Sequence, residues 1–240
     1  EGEWVENTRG IRIRNKLHLE WGDRFVWPDK NAPDGGDRVF CYGLRDQLGI
    51  LCDGMGGHAH GGLAARIVAT SIARDIKQNP RTDEDSINAM ISRASWTLDT
   101  MADVYGGAKM GTTLVMAYIN GNEITVIHCG DSRCYVYGRD KNVKYVTEDH
   151  NSGDYMGAPI TRCFFAGYPE KAEPDVKTFK VSPGDRILLC SDGVYPCMAP
   201  DILRDRMMDD KPIEDIMDTF KFMCEKFSDD NYSAILINID

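Results

Sequence analysis

Residues 111–131 read GTTLVMAYINGNEITVIHCGD, two apolar runs on either side of Asn120-Gly121. Asn-Gly between such runs is the strongest short-range hairpin signal, because the two-residue turns that match strand twist need left-handed backbone. A hairpin needs further partners, and the sequence offers them. RCYVYG and VKYVTE predict a second hairpin. KTFKV, a Pro-Gly turn and DRILLCSDG predict two more strands. DRVFCYGL, QLGILCD and the final YSAILINI add others, while HLEWGDRFVW is compatible with a strand and PDKNAPDGG with a loop.

Helices interrupt this pattern in blocks. From Gly61, the residues Ala65, Val68, Ala69, Ile72 and Ile76 recur at helical spacing. A second helix is predicted from Thr82, with Asp85 completing a capping-box-like pair and Ile87, Ile91, Ala94, Leu98 and Met101 facing inward. A third opens at Pro212 and turns Ile213, Ile216, Phe220, Met223 and Phe227 to the core. Hairpins with segregated helices predict an α+β fold: a β-sandwich of two mainly antiparallel sheets flanked by α-helices. A single domain over 1–240 is the expectation.

The formal net charge of −10 argues against a nucleic-acid partner, which calls for a basic footprint. No apolar run approaches the ~18 residues of a membrane span, and the start at Glu1, without a signal-peptide pattern, is that expected of an excised domain. The eight cysteines form no C-x-x-C pair and sit mostly in apolar runs, so they read as free core thiols in a reducing, cytoplasmic compartment. A monomer is expected.

Carboxylates recur at strand edges. Asp53 ends GILCD, Asp131 ends TVIHCGD and Asp192 ends RILLCSD, while Asp37 opens DRVFCY and Asp230 lies just before YSAILI. Asp and Gly are turn residues, which accounts for any one of these alone. Five together are harder to dismiss, because a carboxylate leaving a buried strand is costly unless it is paired or metal-bound. Mg2+ and Mn2+ want such oxygen donors. Gly54 would leave its own carbonyl free to turn toward an ion, and two ions about 4 Å apart suit attack on phosphorus.

The motifs DGMGGHAHGG, GTT, CGDSRCYVY, EDHN, ITRCFFAG, GDRILLCSDGV and DDNYSAILI occur in the order found in the metal-dependent Ser/Thr protein phosphatases of type 2C, and the chain from about 37 to 240 resembles that family. The resemblance implies a β-sandwich flanked by helices, two Mg2+ or Mn2+ ions with a weaker third, and hydrolysis of phosphoserine or phosphothreonine in proteins by a hydroxide bridging the metals. It implies that Asp53 bridges both ions with the Gly54 carbonyl on one, and that Asp192 and Asp230 complete the other. Asp131 with Asp192 would line the third site, and Asp37 would orient metal-bound water. It further implies a phosphorylated protein substrate and an opposing Ser/Thr kinase.

The chain departs from that pattern in places. Gly35-Gly36-Asp37 stands where a Glu precedes the Asp, and Ala32 and Pro33 stand where an upstream Arg binds phosphate. Arg24 or Lys30 is the candidate replacement. Met55 occupies a position that is often His, and Met has no proton to give a leaving group. Only SGDYMGAP separates EDHN from ITRCFFAG, where the family carries a longer flap. These losses sustain an alternative, a phosphatase-fold binding module with weak or no activity. A phosphatase for small phosphate esters is a third reading. His58 and His60 find no further zinc ligands in the sequence, GDSR is not a serine-hydrolase elbow, and the 54–62 glycines lack a P-loop Lys. Ser132 and Ser191 read as partners of nearby backbone.

Overall fold

The computed structural model describes residues 48–55, 60–153 and 158–239, together with the backbones of four strands before residue 43. Asp37, Gly35, Gly36, Lys30 and His58, on which several expectations rest, lie outside the described residues, as does the side chain of Arg24. The early strands are β1 (Trp4–Val5), β2 (Ile11–Ile13), β3 (Trp21–Trp27) and β4 (Cys41–Tyr42). After β5 (Leu48–Leu51) come α1 (Gly61–Gln78) and α2 (Glu84–Val104). Then follow β6 (Gly111–Thr112), β7 (Leu114–Asn120), β8 (Glu123–Cys129), β9 (Arg133–Tyr137) and β10 (Val143–Val146). The chain closes with β11 (Phe164–Phe165), β12 (Asp175–Lys180), β13 (Arg186–Cys190), α3 (Pro200–Met207), α4 (Ile213–Phe227) and β14 (Ala234–Ile239).

Two antiparallel sheets carry the fold. One runs β10-β9-β13-β14-β3-β2 and the other β12-β8-β7-β5. Period-two alternation explains why they face each other. Val115, Ala117, Ile119, Ile124 and Val126 of the smaller sheet bury against Cys134, Val136, Ile187, Leu189, Ile235 and Ile237 of the larger. The alternate residues point outward. Leu48, Ile50, Leu114 and Met116 pack under α1 and α2, while Tyr135, Leu188, Cys190 and Leu236 pack under α3 and α4. The result is the expected sandwich of two sheets between two helical layers. Each buried aliphatic side chain contributes about 1.5–3 kcal/mol.

Three local readings shift. Asn120 belongs to β7 and pairs with Glu123, so the hairpin loop is Gly121-Asn122. The cap of α2 is Asp83, one residue later than predicted, because its carboxylate accepts the Ser86 N–H at 3.1 Å. Phe227 is half exposed: it lines a cavity instead of the core. The seven described cysteines are buried thiols outside any disulfide. Among the described residues, no helix is long and apolar enough to cross a membrane.

Candidate metal centre and active site

Register decides where the strand-end acids meet. Cys190 ends β13 and pairs with Ala234 at the start of β14 and with Arg133 at the start of β9. In the other sheet, Leu51 at the end of β5 pairs with Val115, and Leu114 pairs with Cys129 at the end of β8. Asp53, Asp131, Asp192 and Asp230 are therefore delivered to one end of the sandwich. β3 reaches the same end, where Trp27 pairs with Ala234. Arg24 pairs with Ile237, further along the strand from that end.

Glycine makes the close approach possible at both Asp-Gly corners. A Cβ on Gly54 would lie 2.4 Å from the Gly61 carbonyl group, so only glycine lets this corner touch the start of α1. A Cβ on Gly193 would lie 1.9 Å from the Asn231 carbonyl oxygen. That contact brings the segment carrying Asp230 against Asp192. Hydrogen bonds then lock the backbones. The Asp53 N–H donates to Thr113 Oγ1 at 3.0 Å, and the Asp53 carbonyl accepts from Thr112 Oγ1 and from the Thr113 N–H. Thr113 Oγ1 also bonds Ser132 Oγ at 2.8 Å, joining the Asp53 corner to the loop of Asp131. At the second corner Ser191 Oγ accepts the Ser233 N–H at 3.0 Å, and Ser228 Oγ donates to the Gly193 carbonyl at 2.8 Å.

The acids perturb one another. Asp192 lies within hydrogen-bonding reach of the Asp53 carboxyl group. Burial, followed by repulsion from Asp230, pushes Asp192 up to about 6. Burial, then Asp192 and Asp149, pushes Asp131 up to about 7. Such values mark carboxylates gathered without enough positive charge. Among the described residues lining the adjoining cavity of about 880 Å³, the one cationic side chain is Arg133, and Asp149 already engages it. No three described His, Cys, Asp or Glu side chains are drawn in closely enough to enclose an ion by themselves. Hard carboxylate oxygens of this kind fit Mg2+ or Mn2+, which keep several waters and so need few protein ligands.

A second network supports the Asp131 loop. His150 Nδ1 accepts the Gly130 N–H at 3.2 Å, which leaves Nε2 to donate to Asp175 Oδ2 at 3.1 Å. Arg162 holds the other Asp175 oxygen at 3.0 Å. Asn151 forms an isolated antiparallel bridge with Ile160, and the Ser152 N–H donates to the Pro159 carbonyl at 2.9 Å. His60 stands at the start of α1, exposed, with φ 83°. Sequence reasoning passed over the Arg133–Asp149 pair, although both residues lie in quoted motifs.

Comparison with known proteins agrees with this architecture. The serine/threonine protein phosphatase PstP of Mycobacterium tuberculosis is 30% identical over 166 residues, covering 62% of this chain and 32% of that protein. This chain thus spans about a third of PstP's length. A putative protein phosphatase of Mycoplasma genitalium is 25% identical over 229 residues, covering 83% of this chain and 87% of that protein. The crystal structure of the PstP catalytic domain in complex with two manganese ions matches with TM-score 0.70 and 22% identity, covering 100% of this chain and 99% of that one. That likeness speaks for the fold. The sequence profile described as Protein phosphatase 2C matches residues 37–239, the stretch that holds both Asp-Gly corners and the closing strand, and the chain belongs to the protein phosphatase 2C family.

Proposed function

We propose that this protein hydrolyses phosphoserine and phosphothreonine in protein substrates, using Mg2+ or Mn2+ held by the strand-end acids. The observation that carries the reading is the meeting of Asp53, Asp131, Asp192 and Asp230 at one sandwich end, with Asp131 and Asp192 driven toward neutrality. The names of the relatives and the two manganese ions in the PstP structure support it.

Asp53 would serve both ions and the Gly54 carbonyl one of them, while Asp192 and Asp230 would hold the other. Asp131 and Asp192 would hold a weaker third. Bound there, the cations would supply Lewis-acid activation of water and offset the charge of the phosphoryl group. Asp37 would orient the attacking water, and Lys30 is preferred to Arg24 as the phosphate residue, because Arg24 pairs with Ile237, three residues along the strand from the site end. Met55 has no proton to donate, so a water or another residue would protonate the leaving oxygen. That cavity is large enough for a phosphorylated side chain with its flanking backbone. The buried thiols outside any disulfide support a cytoplasmic setting. In this reading the protein acts as a monomer against a Ser/Thr kinase.

Turnover of a phosphothreonine peptide and of an aryl phosphate tests the reading, with Mn2+, with Mg2+ and with chelator. Hydrolysis of both substrates that disappears with chelator is expected. Absence of turnover at every metal concentration would overturn the enzyme reading, and activity confined to the aryl phosphate would overturn the protein substrate.

A further inference from the structure

Arg133 lines the cavity, yet neither the proposed cation ligands nor the proposed chemistry uses it. It sits at the start of β9, two positions after Asp131. Its Nε donates to Asp149 Oδ1 and its Nη2 to Asp149 Oδ2, both at 2.8 Å, a two-pronged pairing that fixes the plane of both groups. Its Nη1 donates to the Tyr135 hydroxyl at 3.0 Å. The guanidinium lies 3.6 Å from the centre of the Tyr195 ring, within cation–π range. Tyr195 donates its own hydroxyl to Asp149 Oδ2 at 3.4 Å. Burial works against the charged guanidinium, but the Asp149 hydrogen bonds outweigh it and keep Arg133 charged.

These groups come from three segments: the start of β9, the loop after β10 and the turn after β13. Asp131 is two residues before Arg133, and Asp192 is three before Tyr195. We propose that Arg133, Asp149 and Tyr195 form a clamp that fixes the separation of the loops carrying Asp131 and Asp192, which makes Arg133 a positioning residue for cation binding and phosphoester hydrolysis. The inference rests on the reading of the strand-end acids as cation ligands. One physical requirement favours it: ligands must be held to within about 0.5 Å, and loops do this poorly unless their side chains are locked.

The test uses Arg133→Met, Arg133→Lys, Asp149→Asn, Tyr195→Leu and the Arg133→Met/Asp149→Asn double variant. Each is titrated with Mn2+ and read in two ways, by turnover and by the metal-induced rise in melting temperature, with the metal-free melting temperature as the folding control. Arg133→Met is expected to raise the Mn2+ midpoint of both readouts by roughly 10-fold or more, the scale seen when groups supporting metal ligands are removed. Asp149→Asn should act in the same direction. The double variant should be no worse than Arg133→Met alone, because the two residues act as one unit. Arg133→Lys should recover only part of the loss, since an ammonium keeps the charge but not the fork or the stacking. If Arg133→Met fails to fold, Tyr195→Leu, which spares both charges, carries the test with a several-fold rise in midpoint. A midpoint within twofold of wild type in the folded variants, strictly additive effects, or full recovery by Lys overturns the clamp. Wild-type protein without chelator-sensitive turnover overturns the phosphatase reading instead, while the melting readout still reports on the clamp.

Discussion

The two Asp-Gly corners share a dipeptide and differ in what holds them. Asp53-Gly54 is built into the sheet. Its acid is only 8% exposed, its backbone is bonded to Thr112 and Thr113, and its glycine rests on the start of α1. Asp192-Gly193 depends on the last loop of the chain: Ser191 bonds Ser233, Gly193 rests on Asn231, and Ser228 bonds the Gly193 carbonyl. The first corner is a fixed point of the core. The second is assembled from a segment that must fold back to reach it. In the proposed reading the carboxylate that would serve two ions stands at the rigid corner, and the acids that would complete one of those ions stand at the assembled one.

The comparison breaks most severely at the acids. Asp53→Asn and Asp192→Asn should each lower turnover by about 100-fold or more, because a ligand matters at least as much as the groups that support it. Both should remain folded, and Asp192→Asn should leave the metal-free protein no less stable, because it relieves repulsion on Asp131. Near-normal rates at saturating Mn2+ would remove either residue from the site.

Next come the glycines. Gly54→Ala and Gly193→Ala each place a Cβ against backbone, so each should lose about 3 kcal/mol or more in denaturant unfolding. Their second effects should differ. Folded Gly193→Ala should need more Mn2+, because Asn231 and the adjoining Asp230 are pushed away, whereas Gly54→Ala should spread its damage into α1. Equal metal midpoints in the two variants would erase the distinction.

The third effect is on pH dependence in chelated protein. Asp131 and Asp192 stand above the ordinary Asp value of 3.8, at about 7 and about 6. The native state therefore holds protons that the unfolded chain releases. Their contribution to stability is fully present below about pH 4 and is lost as pH rises toward 7. Asp192→Asn should flatten that decline, which thermal melts from pH 4 to 8 would reveal. An unchanged slope would mean that the two carboxyls do not interact.

The smallest contrast lies in the hydroxyls. Thr113→Val strands the buried Asp53 N–H, and Ser191→Ala strands the Ser233 N–H. Each should lose about 1–3 kcal/mol. Thr113→Val should also loosen the Ser132 loop, seen as faster hydrogen exchange near Asp131, and unaltered exchange there would discount the Thr113–Ser132 link.

Much of this was legible in the sequence. Apolar runs bounded by turn residues marked the strands, and 3.6-residue periods marked α1, α2 and α4, because each of these helices buries one continuous stripe. The helix α3 escaped notice because eight residues with only Leu203 and Met207 buried give too short a pattern. Phe227 misled because the last turn of α4 runs to the cavity, where a helical stripe loses its core partner. Strand ends showed which acids had a physical reason to meet. The Arg133–Asp149–Tyr195 contact was not legible, since it depends on which loops the register brings side by side.

Calorimetric titration of Mn2+ into chelated wild type and Asp192→Asn tests the central claim most directly, because it asks for binding without asking for turnover. Wild type should bind at least two ions, and Asp192→Asn, still folded, should lose one of them or bind it at least about 10-fold more weakly. Wild type that takes up no Mn2+, or a variant that binds as wild type does, would contradict the assignment of the strand-end acids as the metal centre.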